Sequence, residues 1–116
     1  MARVLVADDN RQFVEMLCAT LHDAGYDVAS ASSGLAVAHL VEREDFDLLI
    51  LDVLMPGMSG DAVAALLRNA KPQQPVLLMT GDSGGDFVTT EEFAVLRKPF
   101  SEQQLLEAVR GAVGSA

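Results

Sequence analysis

Short apolar segments alternate with longer amphipathic segments along the chain. Five apolar runs occupy residues 4–7, 26–31, 48–51, 76–79 and 93–96. The first, third and fourth runs are continuously apolar, which is typical of strands that are buried on both faces of a parallel sheet. The second run contains polar residues and the fifth is a weaker signal, so these two are weaker strand predictions.

The segments between the runs have the spacing of amphipathic helices, with apolar residues every three or four positions. The apolar positions are Phe13, Leu17, Leu21 and Ala24, then Val37, Leu40 and Val41, then Val63, Leu66 and Leu67, and finally Leu105, Leu106 and Val109. Gly25 is placed to end the first helix, and Ser33 and Ser59 precede the second and third. Ser101 with Gln104 predicts a capping box for the last helix.

The alternation of strands and helices predicts one α/β domain over residues 1–116. The expected architecture is a doubly wound, parallel five-stranded sheet with helices on both faces. Residues 81–92 contain three glycines and little apolar periodicity, so a fourth helix there should be short or irregular. Ligand sites in such folds lie outside the carboxyl ends of the strands. Candidate functional residues are therefore expected directly after the apolar runs.

Composition narrows the range of functions. The 116 residues carry 17 acidic and 8 basic side chains, for a formal net charge of −9. Direct binding of nucleic acid is not expected, because phosphate backbones require clustered lysine and arginine. A single cysteine excludes an internal disulfide framework. No signal peptide or bilayer-spanning run is visible, which predicts a soluble, cytoplasmic protein without a membrane partner.

Residues with functional chemistry follow four of the five runs. Asp8 and Asp9 follow the first run, Asp52 the third, Thr80 the fourth and Lys98 the fifth. Two carboxylates about 4 Å apart repel by roughly 4 kcal/mol at an effective dielectric constant of 20, so this cluster requires a proton or a cation. Oxygen ligands with spare coordination positions suit Mg²⁺. Each residue alone has a structural interpretation, such as helix capping by the two acids, but their joint placement favours a magnesium site.

Four segments resemble the motifs of response-regulator receiver domains, a bacterial two-component signalling family. Residues 4–9 resemble the opening acidic pair, and residues 51–60 are similar to the phospho-acceptor strand and its loop. Residues 79–81 and 97–100 match the remaining two motifs, and the order and spacing fit over essentially all 116 residues. The resemblance implies the strand order 2-1-3-4-5.

The resemblance also implies a role for each site residue. Asp52 would accept a phosphoryl group from the phosphohistidine of a histidine kinase or phosphotransfer protein. Asp9, Asp52 and the backbone carbonyl of Leu54 would hold Mg²⁺, with Asp8 acting mainly through a bound water. Lys98 and the Thr80 hydroxyl would contact phosphoryl oxygens, since this transfer needs positioning and charge neutralisation. The domain would catalyse only its own phosphorylation and dephosphorylation.

Three further features follow from the resemblance. The Lys98–Pro99 peptide is expected to be cis, an isomer that only proline makes accessible at low cost. Val95 occupies the position where the family usually has an aromatic switch residue. Residues 81–92 are shorter and richer in glycine than the family pattern, so whether they switch on phosphorylation stays open. The oligomeric state, the cognate kinase, and whether an output domain or hybrid kinase belongs to the same chain also stay open.

The residues of this chain argue against two interpretations of it as an enzyme. Residues 81–85 spell the Gly-Asp-Ser-Gly-Gly motif of trypsin-like proteases, but that fold needs two β-barrels and both histidines lie in helical segments. A haloacid dehalogenase-type phosphohydrolase needs an aspartate where this chain has Leu54. The alternative that stays open is a pseudo-receiver, an interaction module that keeps the fold without phosphorylation. The complete set of site residues argues against it.

Overall fold

The computed structural model describes residues 2–53, 55, 59–71, 73–81 and 94–113. Strands and helices alternate along most of this part of the chain. The elements are β1 (Arg3–Ala7), α1 (Arg11–Asp23), β2 (Asp27–Ala31), α2 (Gly34–Arg43), β3 (Leu48–Asp52), α3 (Gly60–Ala70), β4 (Val76–Thr80), β5 (Ala94–Arg97) and α4 (Glu102–Val113). Residues 82–93 lie outside the described residues, and with them the short fourth helix predicted within residues 81–92. The helix labelled α4 therefore corresponds to the last helix predicted from the sequence.

The five strands form one parallel sheet in the order β2-β1-β3-β4-β5, which confirms the predicted topology. Strand β1 pairs with both neighbours, so that Leu5 is in register with Ala29 on one side and Leu49 on the other. The continuously apolar runs form the three central strands. Every residue of β3 is buried, whereas the edge strands β2 and β5 are mostly half-buried. Burial on both faces therefore explains why the central runs lack polar alternation.

Helices cover both faces of the sheet, as predicted. On one face, Leu17 of α1 and Val109 of α4 pack with alternate residues of the central strands, including Ile50. On the other face, Val37 of α2 and Val63 of α3 pack with the intervening strand residues. Successive residues of each central strand thus enter opposite cores. None of the helices in the described part of the chain is long and apolar enough to cross a lipid bilayer.

The helix ends follow the local signals in the sequence. Ser33 and Ser59 cap α2 and α3 by accepting hydrogen bonds from backbone N–H groups three residues ahead. Ser101 and Gln104 exchange the two hydrogen bonds of a capping box before α4. Gly25 follows α1 with a φ of 100°, a left-handed conformation that glycine adopts without a Cβ penalty.

The structure contradicts one predicted core position and one of the alternative structural interpretations. Leu66 was expected to face the core, but it is 52% exposed, and Ala64 is buried instead. At about 100° per residue, Leu66 lies roughly 110° from the centre of the stripe that Val63, Ala64 and Leu67 form. The capping interpretation of Asp8 and Asp9 also fails, because Asn10 is the residue that caps α1.

Candidate functional site

The acidic residues identified in the sequence meet at the carboxyl edge of the sheet. Asp52 is the last residue of β3, and Asp8 directly follows β1. One carboxylate oxygen from each of Asp8, Asp9 and Asp52 lies within 4.8 Å of the others. Asp8 is 1% exposed and Asp52 is 6% exposed, whereas Asp9 is exposed. Two buried carboxylates therefore stand beside one that is open to solvent.

Lys98 directly follows β5 and contacts this acidic cluster. Its Nζ lies 2.7 Å from Asp8 Oδ2 and 3.3 Å from Asp52 Oδ2. Burial of the ammonium acts to lower the pKa of Lys98, but the hydrogen bond to Asp8 and the negative charges of Asp52 and Asp8 outweigh that cost and raise it. Lys98 is therefore held in its charged form. Three carboxylates beside one ammonium still leave an excess of negative charge among these four residues.

Asp8 links the cluster to the start of α1. While Asp8 Oδ2 accepts from Lys98, Asp8 Oδ1 accepts a hydrogen bond of 2.9 Å from the backbone N–H of Asn10. Asn10 in turn caps α1 by accepting from the backbone N–H of Phe13 at 3.1 Å. Both oxygens of the buried carboxylate thus have donors, which reduces the cost of burying the charge.

Phe13 and Phe100 are site neighbours that the sequence interpretation assigned no role. The Nζ of Lys98 lies over the Phe13 ring, 4.4 Å from its centroid. Phe100 meets the same ring edge to face, with the ring centroids 5.8 Å apart and an interplanar angle of 62°. The signals available in the sequence were weak: an aromatic residue near the start of the first predicted helix, and another aromatic residue two positions after the lysine.

Thr80 and Val95 occupy the neighbouring strands β4 and β5. Thr80 is half-buried at the end of β4, and its carbonyl accepts a 2.7 Å hydrogen bond from the backbone N–H of Lys98. Val95 is half-buried and packs against the core under α2 and α3. The Lys98–Pro99 peptide is cis, the isomer that the resemblance implies. Leu54, whose carbonyl the resemblance adds to the metal ligands, lies outside the described residues.

The arrangement is suited to holding a hard cation and an anion together. Asp8, Asp9 and Asp52 supply oxygen donors of the kind that Mg²⁺ prefers. An open groove between α1 and α2 borders Asp8 and Asp9 and gives access from solvent. Lys98 stands against Asp52, where it could donate to an oxyanion attached to that side chain. This geometry can support the transfer of an anionic group to Asp52.

Comparison with known proteins gives consistent similarities. The model of the family described as "Response regulator receiver domain" matches residues 4–110. The response regulator protein FleR of Pseudomonas aeruginosa is 37% identical over 97% of this chain. The transcriptional regulatory protein HprR of Escherichia coli is 37% identical over 93% of it. The response regulator protein TrrA of Thermotoga maritima, solved in complex with Mg(2+)-BeF, is 32% identical, with a TM-score of 0.84 over 97% of this chain and 98% of that one.

The curated relatives are longer than this chain. The matched region covers 25% of FleR and 50% of HprR, so the chain corresponds to only part of each. The similarity to TrrA, in contrast, extends over nearly the whole of both chains.

Proposed function

The chain belongs to the response regulator receiver domain family, and from this premise we propose that Asp52 accepts a phosphoryl group from a phosphohistidine in a reaction that depends on Mg²⁺. A carboxylate oxygen of Asp52 forms the new bond to phosphorus. The bond between phosphorus and the imidazole nitrogen breaks, and its electron pair leaves with the nitrogen. The donor is a histidine kinase or a phosphotransfer protein. The proposed receiver domain occupies residues 1–116.

The observation that carries the proposal is the environment of Asp52. Its carboxylate lies within 4.8 Å of two other candidate metal ligands, Asp8 and Asp9, and within 3.3 Å of the Lys98 ammonium. Phosphoryl transfer needs an in-line nucleophile and positive charge around the equatorial oxygens, and it makes little demand for a strong base. Asp8 also contacts Lys98 and follows a central strand, but both of its oxygens already accept hydrogen bonds. Asp52, the last residue of β3, is therefore the better candidate for the acceptor.

The carboxylates fit Mg²⁺ as a cofactor by number and chemistry. Asp9 and Asp52 would be direct ligands, together with the Leu54 carbonyl, and Asp8 would act mainly through a water. When bound, the ion would neutralise the carboxylates and the transferring phosphoryl oxygens. The structure of TrrA with Mg(2+)-BeF supports the same chemistry for this chain.

Lys98 and Thr80 would hold the phosphoryl group once it is attached. Lys98 Nζ is already within hydrogen-bonding distance of an Asp52 oxygen, so a short movement would bring it to a phosphoryl oxygen. Thr80 ends the neighbouring strand, and the residue before it, Met79, is in register with Asp52. Its hydroxyl would donate to a second phosphoryl oxygen. The two side chains thus replace part of the solvation that the oxyanion would have in water.

Phosphorylation would switch the conformation of the domain and signal to a partner or to an output domain. Val95 lacks the aromatic ring that the family usually places at this position, and it packs against the core under α2 and α3. We therefore expect the signal to leave the site without rotation of an aromatic side chain at residue 95.

Acetyl phosphate, a small-molecule phosphoryl donor, tests the proposal directly. Wild-type protein incubated with acetyl phosphate and Mg²⁺ should gain the mass of one phosphoryl group, and a chelator should prevent the gain. Asp52→Asn should show no gain, because the amide is not a nucleophile for phosphorus. Asp45→Asn is the matched control, since Asp45 is an exposed acid before β3, at the opposite edge of the sheet.

The same experiment addresses the pseudo-receiver alternative. A module that keeps the fold without phosphorylation should not be labelled in any variant. Persistent labelling of Asp52→Asn would instead show that another side chain accepts the phosphoryl group. Labelling of the wild type and of Asp45→Asn, without labelling of Asp52→Asn, is the result that supports the proposed function.

A further inference from the structure

The aromatic ring of Phe13 lies directly beneath the charged end of Lys98. The distance of 4.4 Å from Lys98 Nζ to the ring centroid is well inside the roughly 6 Å limit for a cation–π interaction. The same nitrogen contacts Asp8 Oδ2 and Asp52 Oδ2. The ammonium is therefore held from one side by carboxylates and from another side by a ring face.

The contacts that link Phe13, Lys98, Asp8 and Asn10 form a closed cycle. Lys98 donates to Asp8, Asp8 accepts from the backbone N–H of Asn10, and the Asn10 side chain caps the backbone N–H of Phe13. The Phe13 ring contacts Lys98 and so completes this cycle of contacts. Phe100 packs edge to face on the Phe13 ring, so the segment after β5 holds this ring through two side chains. The first turn of α1 is thereby fixed relative to the lysine.

A ring face supports a cation in a way that a carboxylate cannot. A third carboxylate next to Lys98 would neutralise the ammonium and compete with an incoming oxyanion. The quadrupole of the ring attracts the ammonium without contributing a formal charge. The ring therefore restricts the position of Nζ without adding to the negative charge that Asp8 and Asp52 already place beside it.

We propose that Phe13 is a positioning residue that holds the Lys98 ammonium at the edge of the phosphorylation site, an inference that rests on the proposed function. Loss of the ring face would let the lysine side chain sample orientations directed away from Asp52. Because pre-placed charge contributes to phosphoryl transfer only in the correct geometry, the rate of phosphorylation should fall while the fold persists.

The competing explanation is that Phe13 only fills space, since it is half-buried and packs against the core under α1 and α4. Phe13→Leu separates the two roles, because leucine keeps an apolar side chain and removes the π face. Phe13→Tyr restores the face. Phe46→Leu is the matched control, because Phe46 also lies under a cation, with Arg3 Cζ 4.9 Å from its centroid, before the start of β3.

The first measurement is the rate of phosphorylation by acetyl phosphate at saturating Mg²⁺. We expect Phe13→Leu to lower the rate about fivefold, and Phe13→Tyr to stay within about twofold of the wild type. Phe46→Leu should keep the wild-type rate even where denaturation shows that it is less stable. Equal rates in wild type and Phe13→Leu, or an equal fall in Phe46→Leu, would overturn the inference.

The second measurement is the proton resonance of the Lys98 Cε methylene group, which the ring current of Phe13 should shift upfield. The shift should disappear in Phe13→Leu, return in Phe13→Tyr and be unchanged in Phe46→Leu. A resonance that does not move in Phe13→Leu would overturn the inference by itself. Absence of labelling in the wild type would overturn the proposed function first, so the two failures are distinguishable.

Discussion

Replacing Asp52 by asparagine would reveal how strongly the clustered carboxylates repel one another when no cation is bound. The substitution keeps the size of the side chain and removes one negative charge from a residue that is 6% exposed. Among the charged groups of the cluster, removal of this charge has two opposing effects. The repulsion from Asp8 and Asp9 is relieved, and the attraction to Lys98 is lost.

The repulsion is the larger effect. At 4.8 Å, the outer limit of the carboxylate spacing, and an effective dielectric constant of about 20, each neighbouring carboxylate repels Asp52 by about 3.5 kcal/mol. The Lys98 ammonium, 3.3 Å away, attracts it by about 5 kcal/mol on the same scale. The balance is a net repulsion of about 2 kcal/mol, part of which solvent screens because Asp9 is exposed. We expect Asp52→Asn to raise the free energy of unfolding of the metal-free protein by about 1–2 kcal/mol.

Urea denaturation in a chelator, and again in Mg²⁺, measures this effect. The wild type should gain stability with Mg²⁺ by mass action, and Asp52→Asn should gain less because it has lost a ligand. Asp45→Asn is the matched control and should stay within about 0.5 kcal/mol of the wild type in both conditions. If Asp52→Asn is less stable than the wild type in the chelator, the electrostatic reasoning is refuted.

Three further outcomes are expected. Asp9→Ala should abolish the Mg²⁺-dependent rise in melting temperature at little cost to the metal-free fold, and a wild-type rise would contradict its role as a ligand. The pKa of Lys98 is raised in the folded state, so its stabilisation is complete below the unfolded pKa of about 10.4 and is lost as pH rises through the folded value. The stability difference between wild type and Lys98→Met should therefore shrink above about pH 10.5, and a constant difference in urea denaturation would exclude this. Leu17→Ala should lower the free energy of unfolding by about 2–5 kcal/mol, whereas exposed Leu66→Ala should change it by less than about 0.5 kcal/mol. Similar losses in the two leucine variants would contradict the burial pattern.

The order of elements and the location of the site could be predicted from the sequence. The uninterrupted apolar runs of β1, β3 and β4 reflect burial on both faces, which is a property of parallel strands and is visible without coordinates. Parallel strands share a carboxyl edge, so the residues after each run had to lie along one line. That rule explains why Asp8, Asp52 and Lys98 lie close together.

Other features depended on distances that no local pattern contains. Three acidic or amide residues, Asp8, Asp9 and Asn10, precede α1, and any of them could have capped it. In the structure Asp8 is buried against Lys98, and the side chain of Asn10 caps α1. Leu66 fits an apolar spacing by itself, but the direction in which α3 packs on the sheet leaves it exposed.

The contact between Phe13 and Lys98 was decided by the tertiary structure alone. The two residues are far apart in the sequence, and an aromatic residue in the first turn of an amphipathic helix predicts only core packing. Strand β5 is separated from β1 by β3 and β4, but α1 and the segment after β5 pack on the same face of the sheet, so that the ring meets the ammonium. The sequence determined which chemical groups reach the carboxyl edge, through strand periodicity. The packing of α1 on the sheet determined which groups touch, because contacts between distant segments depend on helix orientation.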